Sequence, residues 1–390
     1  MIDFDLSIQT KLFFGADKEN QIGEILLSYK AKRVFIVIGQ GSVKKSGLLD
    51  LVISKIEEKK ITYKVVEGVR PNPTIDFVRG ALKSAKEFKP DFVLAIGGGS
   101  VIDTAKSIAC GYYYDGDPFD FNMYRAKPKK TLPVGTILTI SAAGSEMSTS
   151  CVIQDDKTGD KRGFNSDLIR PVFAIEDPKL TYSVSPYQTA CGIVDIMMHT
   201  LERYFQPSCE NEPADNFAEG VLKAVIKAGQ KVMRNPEDYE SRAVLMLMSS
   251  WSHNGLTGIG KNFGMPVHQL EHGLSGMYES VAHGAGLAVL WPAWAKYYVQ
   301  YDVDKFDKYA RNVWNSQLSD KKDNALQGIK LTEEFFRYIG MPSRLMEFKV
   351  GAIDIDGLIN KLTDNGTRVV AHPVKPLDGE VARIIYNSCL

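Results

Sequence analysis

The amino-acid sequence predicts an α/β domain that contains a parallel sheet, followed by an all-helical domain. Short runs of β-branched and other apolar residues alternate with helical stretches in the first half of the chain. Near-continuous apolar strands that alternate with helices are typical of a parallel sheet covered by helices on both faces. After Asp177-Pro178, long amphipathic segments replace the strands. We therefore expect residues 1–178 to form the α/β domain and residues 179–390 to form the helical domain.

The individual elements follow from hydrophobic periodicity. Apolar runs short enough to be buried strands are residues 33–38, 62–66, 91–96, 132–139 and 171–175. Helical periodicity in the first half covers residues 20–29, 45–59 and 74–88. Longer amphipathic segments in the second half are residues 186–205, 212–234, 239–256, 267–277, 303–316, 325–339 and 355–365. Strands alternate with helices only in the first half, which places the sheet there.

Length, charge and cysteine content restrict the classes of function. The chain has 390 residues, and Lys plus Arg balance Asp plus Glu at 47 each, so no strong field draws in nucleic acid or an acidic membrane. The cysteines are scattered and lack Cys-x-x-Cys spacing, which indicates free thiols in a reducing compartment. They are Cys110, Cys151, Cys191, Cys209 and Cys389. With no signal-peptide pattern and no apolar run of about 18 residues, we expect a soluble, cytoplasmic protein.

One aspartate and several histidines are spaced as ligands of a divalent metal. Asp195 and His199 are four residues apart in a predicted helix, so they share one helix face and can reach one ion. His268 and His272 repeat this spacing, and His283 follows. A carboxylate combined with several imidazoles is the ligand set of iron or zinc. The alternative is that these are ordinary polar residues on helix surfaces, where His-x-x-x-His pairs are common.

A glycine-rich loop directly follows the strand predicted at residues 91–96. Residues 97–103 read GGGSVID and open a helix that continues through Cys110. Glycines let the backbone approach a ligand closely, and the N–H groups at a helix start favour phosphate. The loop lacks the G-x-G-x-x-G fingerprint, so a plain tight turn is the alternative. Its place at the carboxyl end of a parallel strand favours ligand binding.

Two further loops also follow predicted strands. Residues 39–45, GQGSVKK, contain no acidic residue that would bind the adenosine ribose and exclude a 2′-phosphate. Their serine and lysines are compatible with the extra phosphate of NADP, although a surface turn with solvated lysines would show the same pattern. Residues 139–146, TISAAGSE, are mostly small or carry hydroxyls, so a flat ring could lie close to the backbone. On its own, this third loop cannot be distinguished from an ordinary turn.

These loops and the metal-ligand pattern occur together with other motifs, in an order shared by one family. The motifs are PNPT (71–74), GGGSVIDTAK (97–106), AAGSEMS (142–148), DKRGF (160–164), IVDIMMH (193–199) and GMPVHQLEHGLSGMYESVAHGAGLAVLWPAW (264–294). On these motifs, which run over nearly the whole chain, the sequence resembles the iron-dependent (group III) alcohol dehydrogenases. It is most similar to their butanol dehydrogenase branch.

The resemblance implies a Rossmann-like N-terminal domain, a helical C-terminal domain and a cleft between them, in a dehydroquinate synthase-like architecture. It implies metal ligation by Asp195, His199, His268 and His283. His272 lies near the metal in such a site, either as a proton relay or as a structural histidine. The cofactor-binding positions carried over from the family are Gly39, Gly41, Ser42, Asn72, Gly98, Gly99, Ser100, Asp103, Thr139 and Lys161.

The activity implied by the resemblance is the interconversion of small primary alcohols, such as butanol, and their aldehydes by hydride transfer. A metal with an open coordination position polarises the substrate oxygen in such chemistry. Fe²⁺ is favoured and Zn²⁺ is compatible. The 39–45 loop favours NADP(H) over NAD(H) as the cofactor. The family also implies a homo-oligomer, a dimer or larger, with neither nucleic acid nor membrane as partner.

Two positions depart from the family pattern. The interval from His268 to His283 is one residue longer, with the extra residue within Glu279-Ser280-Val281. His283 therefore reaches the metal only if a turn absorbs that residue. Ala143 replaces a common threonine, which removes one hydroxyl near the cofactor.

Three other activities are open to a chain of this fold. One is glycerol dehydrogenase-like oxidation of polyols. A second is a dehydroquinate synthase-like lyase, which would need a basic anion-binding cluster beside the metal. The third is a non-catalytic protein that binds dinucleotide and metal.

Overall fold

The computed structural model describes residues 1–206, 211–262, 264–372 and 374–390. It divides into two compact units, one formed by Ser7–Ser183 and the other by Met1–Leu6 together with Val184–Leu390. The first unit contains the sheet, and the second is built from helices. The predicted fold class, an α/β region followed by a helical region, is confirmed.

The first unit is built on a parallel sheet. Its strands are β1 (Lys11–Phe14), β2 (Arg33–Gly39), β3 (Thr62–Val69), β4 (Phe92–Gly97), β5 (Val134–Leu138), β6 (Ser150–Asp155), β7 (Asp160–Asn165) and β8 (Phe173–Glu176). Among the described residues, six strands form the sheet in the order β1-β8-β5-β4-β2-β3, with every neighbouring pair parallel. β4, β5 and β8 are buried along their whole length, which explains their uninterrupted apolar sequence. The predicted strands correspond to β2, β3, β4, β5 and β8.

Sequence periodicity predicts neither β1 nor the antiparallel hairpin of β6 and β7. β1 has four residues, and its pairing with β8 places Lys11 opposite Phe173. In the hairpin, β7 reads DKRGFN and places Lys161 opposite Gln154. Strands this short or this polar depend on their cross-strand partners more than on their own propensity.

Helices flank the sheet and make up the second unit. The first unit contains α1 (Ile22–Ser28), α2 (Ser42–Lys45), α3 (Leu48–Glu58), α4 (Ile75–Phe88), α5 (Gly99–Gly111) and α6 (Phe119–Asn122). The second contains α7 (Pro186–Tyr204), α8 (Glu212–Val232), α9 (Tyr239–His253), α10 (Pro266–Met277), α11 (His283–Tyr298), α12 (Val303–Trp314), α13 (Lys321–Tyr338), α14 (Ile355–Thr363) and α15 (Gly379–Ser388). Most of these coincide with the predicted helical segments.

The structure adds two short helices, α2 and α6, and two longer ones, α11 and α15, to the helices that the sequence predicts. α11 is apolar along nearly its whole length, contains Pro292 and packs against α7 and α10. From Gly284 to Ala295 this helix is buried except for the partly exposed Ala293, so that stretch has no polar face and lacks the periodicity on which the prediction depends. The start of α11 is also where His283 lies.

Two further expectations concern the cysteines and the membrane. Cys110, Cys151, Cys191 and Cys389 are buried free thiols, whereas Cys209 lies outside the described residues. In the part of the chain that the structure describes, no helix has both the length and the apolar character required to cross a membrane.

Candidate metal centre and cofactor loops

Helix α7 carries the first two candidate metal ligands. It begins with Pro186, and the Ser185 side chain caps it by accepting a hydrogen bond from Gln188 N. Asp195 and His199 follow one turn apart in the buried middle of the helix, each 4% exposed. Because they face the same side of α7, Asp195 Oδ1 lies 3.2 Å from His199 Nδ1.

Helices α10 and α11 bring two more histidines to the Asp195 carboxylate. His268 Nε2 lies 3.6 Å from Asp195 Oδ1, and His283 Nε2 lies 3.9 Å from the same oxygen. The ligand atoms of Asp195, His199 and His268 all lie within 4.8 Å of one another. Residues from three helices therefore surround one carboxylate oxygen.

The chain forms a turn between α10 and His283. Val281 N donates a hydrogen bond to Tyr278 O at 2.9 Å, and α11 then begins at His283. Gly284 allows α11 to approach α7, because a Cβ at this position would collide with the backbone of Cys191. The turn and the glycine together bring His283 Nε2 to within 3.9 Å of Asp195 Oδ1.

Two buried glutamates that the sequence prediction omitted orient the histidines. Glu202 accepts a hydrogen bond from His268 Nδ1, and Glu271 accepts one from His283 Nδ1. Each carboxylate fixes the tautomer that leaves Nε2 free to bind a metal. The sequence does carry a signal for them, since His-x-Leu-Glu occurs at 199–202 and again at 268–271.

The cluster fits a divalent metal. Among the described residues, Asp195 Oδ1, His199 Nδ1 and His268 Nε2 are buried and have no hydrogen-bond partner. Buried polar atoms without partners are costly, and their convergence within one ligand sphere calls for a cation. Oxygen and imidazole nitrogen donors suit iron and zinc. Asp195, His199 and His268 are thus able to hold such an ion, and His283 Nε2 lies 3.9 Å from the same carboxylate oxygen.

Burial and neighbouring charges set the protonation of the histidines. Burial, reinforced by neighbouring histidines, holds the pKa of His199 well below its usual range, so its imidazole is neutral. Burial also lowers the pKa of His268, but the Glu202 and Asp195 carboxylates outweigh that effect and raise it to about 9. A metal must therefore displace a proton from His268 when it binds.

The other histidines differ in their distance from this centre. His272 lies one turn beyond His268 on α10, and its ring centroid is 5.7 Å from that of His283. The ring of His253, to which the sequence assigns no role, packs edge-to-face against His199 at 4.0 Å. His372 instead packs against Tyr298. Histidines 253 and 272 thus adjoin the candidate ligands.

The predicted cofactor loops lie at one edge of the sheet in the first unit. β5, β4 and β2 are neighbours and parallel, so the segments that follow them share their carboxyl edge. Gly39 ends β2, Gly98 and Thr139 directly follow β4 and β5, and Asn72 follows β3 with a φ of 53°. A Cβ at Gly98 would collide with Ile140, so the glycine loop and the third loop pack closely.

The remaining predicted cofactor residues occupy different surroundings. Gly99 and Ser100 form the first turn of α5, whereas Gly41 and Ser42 lie at the start of α2. Asp103 lies further along α5 and binds the segment around Ser145 and Val152. Lys161, the last of the predicted cofactor residues, lies on β7.

An acidic residue lies beside the second loop although the loop itself contains none. Glu67 on β3 forms an ion pair with Lys44, and both side chains are about half exposed. The pair arises because β2 and β3 are neighbours in the sheet. One of the two lysines assigned to a 2′-phosphate is therefore already paired with a carboxylate.

Comparison with known proteins adds two family models to these observations. Residues 9–178 match the model described as iron-containing alcohol dehydrogenase. Residues 189–388 match the model of the C-terminal region of the Fe-containing alcohol dehydrogenase family. The matches follow one another in chain order and together span most of the sequence.

Individual relatives and solved structures match along the full length. The chain is 41% identical over 392 residues to NADH-dependent butanol dehydrogenase A of Clostridium acetobutylicum, with 100% of both chains covered. It is 35% identical over 392 residues to the NADPH-dependent aldehyde reductase YqhD of Escherichia coli, again with 100% of both covered. The crystal structure of NADH-dependent butanol dehydrogenase A from Thermotoga maritima matches with a TM-score of 0.96 and 32% identity, over 100% of this chain and 99% of that one.

Proposed function

This chain belongs to the iron-containing alcohol dehydrogenase family, and we propose that it interconverts small primary alcohols, such as butanol, with their aldehydes. The observation that carries the proposal is the buried cluster of Asp195, His199 and His268, whose converging atoms have no hydrogen-bond partner among the described residues. The reaction is a hydride transfer that depends on a metal and a nicotinamide cofactor. Names of full-length relatives, butanol dehydrogenase and aldehyde reductase, support the substrate class.

We propose Asp195, His199, His268 and His283 as the metal ligands. When bound, the metal supplies a Lewis acid that polarises the substrate oxygen. Fe²⁺ is our first choice because a four-residue set of mixed donors leaves iron room for a further ligand, whereas Zn²⁺ prefers four-coordination. Glu202 and Glu271 hold the imidazoles of His268 and His283 in the required orientation.

The loops at the carboxyl edge of the sheet are proposed to bind the dinucleotide. Gly98, Gly99 and Ser100 would hold the pyrophosphate against the N-terminal N–H groups of α5. The third loop, which begins at Thr139, would lie against the nicotinamide ring. We assign the cofactor role to the N-terminal domain, residues 1–178, and the metal role to residues 179–390.

The second loop is proposed to favour NADP(H) over NAD(H). Ser42 and Lys45 are exposed at the start and end of α2, where a 2′-phosphate could meet a hydroxyl and a positive charge. The Lys44–Glu67 pair acts against this preference, because the carboxylate neutralises one lysine and repels phosphate. Relatives include both NADH- and NADPH-dependent enzymes. The preference of this chain is therefore tested by the ratio of its turnover rates with NADPH and NADH.

His272 is proposed to relay the proton that the alcohol gives up. It is half-buried on α10 beside His283, and an imidazole exchanges protons readily near neutral pH. We also propose that the protein is a homo-oligomer, a dimer or larger. The relatives do not favour polyol oxidation, lyase chemistry or a non-catalytic role.

The test is turnover with defined metal and cofactor. Protein stripped with a chelator is reloaded with Fe²⁺ or Zn²⁺ without oxygen, and oxidation of NADPH or NADH by butyraldehyde is followed at each condition. Metal-dependent turnover is expected, faster with NADPH. His268→Gln should abolish it, whereas His372→Gln, a matched change at a buried histidine outside the cluster, should retain it.

Two results would contradict the proposal. Equal turnover of stripped and reloaded protein would show that the reaction does not need the metal. An absence of turnover with every combination of metal, cofactor and aldehyde, from butyraldehyde to longer aldehydes, would contradict the proposed activity itself.

A further inference from the structure

Lys106 is a fully buried lysine near the middle of α5, below the glycine-rich loop. Its Nζ is within hydrogen-bond distance of Ser145 Oγ (2.9 Å), Ser148 O (3.0 Å), Ser148 Oγ (3.3 Å) and Ser150 O (2.8 Å). A buried ammonium group is costly unless its N–H groups are used. These oxygens are sufficient for all of them, and they all belong to the segment that leads from the third loop into β6.

Asp103, one turn earlier on α5, holds the same segment with opposite charge. Its Oδ1 accepts a hydrogen bond from Ser145 Oγ at 2.5 Å, and its Oδ2 accepts one from Val152 N at 2.8 Å. The Ser145 hydroxyl can therefore accept from Lys106 while it donates to Asp103. Burial lowers the pKa of Lys106, and the Asp103 carboxylate opposes that change.

This network contacts the third loop, which in turn packs against the glycine loop; both loops are assigned to the cofactor. Thr139 N donates a hydrogen bond to Gly97 O at 3.1 Å, and Gly98 packs against Ile140. The third loop thus touches the glycine loop at its beginning and is tied to α5 at its end. Movement of its far end would change the spacing between the two loops.

We propose that Lys106, together with Asp103 and Ser145, is a positioning unit that sets the spacing between the pyrophosphate and nicotinamide subsites. The inference rests on the proposed function, since it assigns cofactor subsites to the two loops. Lys106 and Ser145 need not touch the cofactor to act in this way, and Asp103, itself a predicted cofactor residue, holds Ser145 and Val152. The charged groups of Lys106 and Asp103 form hydrogen bonds within the protein. These bonds hold the third loop in place before the cofactor binds.

The experiment measures cofactor affinity in the full-length, metal-free protein. Dissociation constants for NADPH and NADH are obtained from fluorescence, and that of ADP-ribose, which lacks nicotinamide, from competition. Lys106→Met should weaken binding of the preferred dinucleotide by about 10- to 100-fold, because hydrogen bonds to a charged group are lost. ADP-ribose should lose much less affinity. Lys83→Met, the same change at an exposed lysine on α4, should bind both ligands like the wild type.

Two more variants keep the test decisive. Lys106→Arg preserves the charge and should recover part of the affinity, whereas Ser145→Ala removes only the bridging hydroxyl and should weaken dinucleotide binding less than Lys106→Met. If Lys106→Met does not fold, Ser145→Ala decides the matter. A larger loss for NADPH or NADH than for ADP-ribose supports the proposal in either variant.

The possible failures are distinguishable. Wild-type protein that binds neither NADPH nor NADH would overturn the proposed function, whatever the variants do. If wild-type protein binds a dinucleotide and folded Lys106→Met binds it equally well, the positioning role alone is overturned; where Lys106→Met does not fold, the same result with Ser145→Ala overturns it. Equal losses for dinucleotide and ADP-ribose would also overturn it, because they indicate general loosening of the fold.

Discussion

Glu202→Gln tests whether the buried carboxylates prepare the metal site. Glu202 has a fully buried side chain whose Oε1 accepts hydrogen bonds from Val267 N at 2.5 Å and His268 N at 3.4 Å, while Oε2 accepts one from His268 Nδ1. Glutamine offers one carbonyl oxygen and one amide nitrogen, so it cannot accept at both positions. If the amide nitrogen faces His268, the imidazole proton moves to Nε2, which can then no longer bind the metal.

The expected loss of metal affinity follows from what the carboxylate partners of ligating histidines contribute to metal sites. Losing the carboxylate partner of a ligating histidine typically weakens metal binding about 10- to 100-fold, which is about 1.4–2.8 kcal/mol. The affinity is measured by dialysis against graded chelator concentrations with metal content determined by mass spectrometry. Glu271→Gln should act similarly through His283.

The matched control is Glu219→Gln, in the same helical unit. Glu219 is also buried, but it accepts hydrogen bonds from Tyr204 Oη and Asn312 Nδ2, away from the histidines. Its replacement should leave metal affinity unchanged. If Glu202→Gln bound metal as tightly as wild-type protein, the claim that Glu202 prepares His268 would be refuted.

Three other changes have defined outcomes. Gly98→Ala should weaken NADPH binding at least tenfold because the new Cβ collides with Ile140, whereas Gly80→Ala, with open space around it, should bind normally in the same titration. Glu67→Gln frees Lys44 and should raise the ratio of kcat/KM for NADPH over NADH; an unchanged ratio would remove Lys44 from cofactor selection. Burial, then the charge of Lys261, lowers the pKa of Lys305 to about 8, although Asp215 opposes this. The unfolded chain therefore binds more protons above pH 8, and the free energy of unfolding should rise by about 1.5 kcal/mol between pH 8 and 9.5. Urea titrations of Lys305→Met should show no such rise.

Elements with a local pattern could be predicted from the sequence. The apolar runs that became β2, β4 and β5 are buried, and the turn residues behind them mark the carboxyl edge of the sheet. The four-residue spacing of Asp195 and His199 depends only on helix geometry. The sequence did not predict α11, because most of this helix is apolar and buried and therefore shows no periodic signal.

Partnerships between distant segments required the folded chain. Glu67 lies far in sequence from the loop whose charge it alters, and only the pairing of β2 with β3 brings it to Lys44. Likewise, His283 reaches Asp195 because a turn and Gly284 bring α11 against α7. No local spacing encodes either approach.

The sequence by itself determined the fold class, the three loops after strands and the residue types of the metal cluster. These properties depend on periodicity and on short-range backbone geometry, which neighbouring residues specify. Only the tertiary structure decided that Glu202 and Glu271 orient the histidines and that Lys106 holds the third loop. The physical reason is that a buried polar atom must find a partner wherever packing provides one, and packing joins residues that are far apart in the chain.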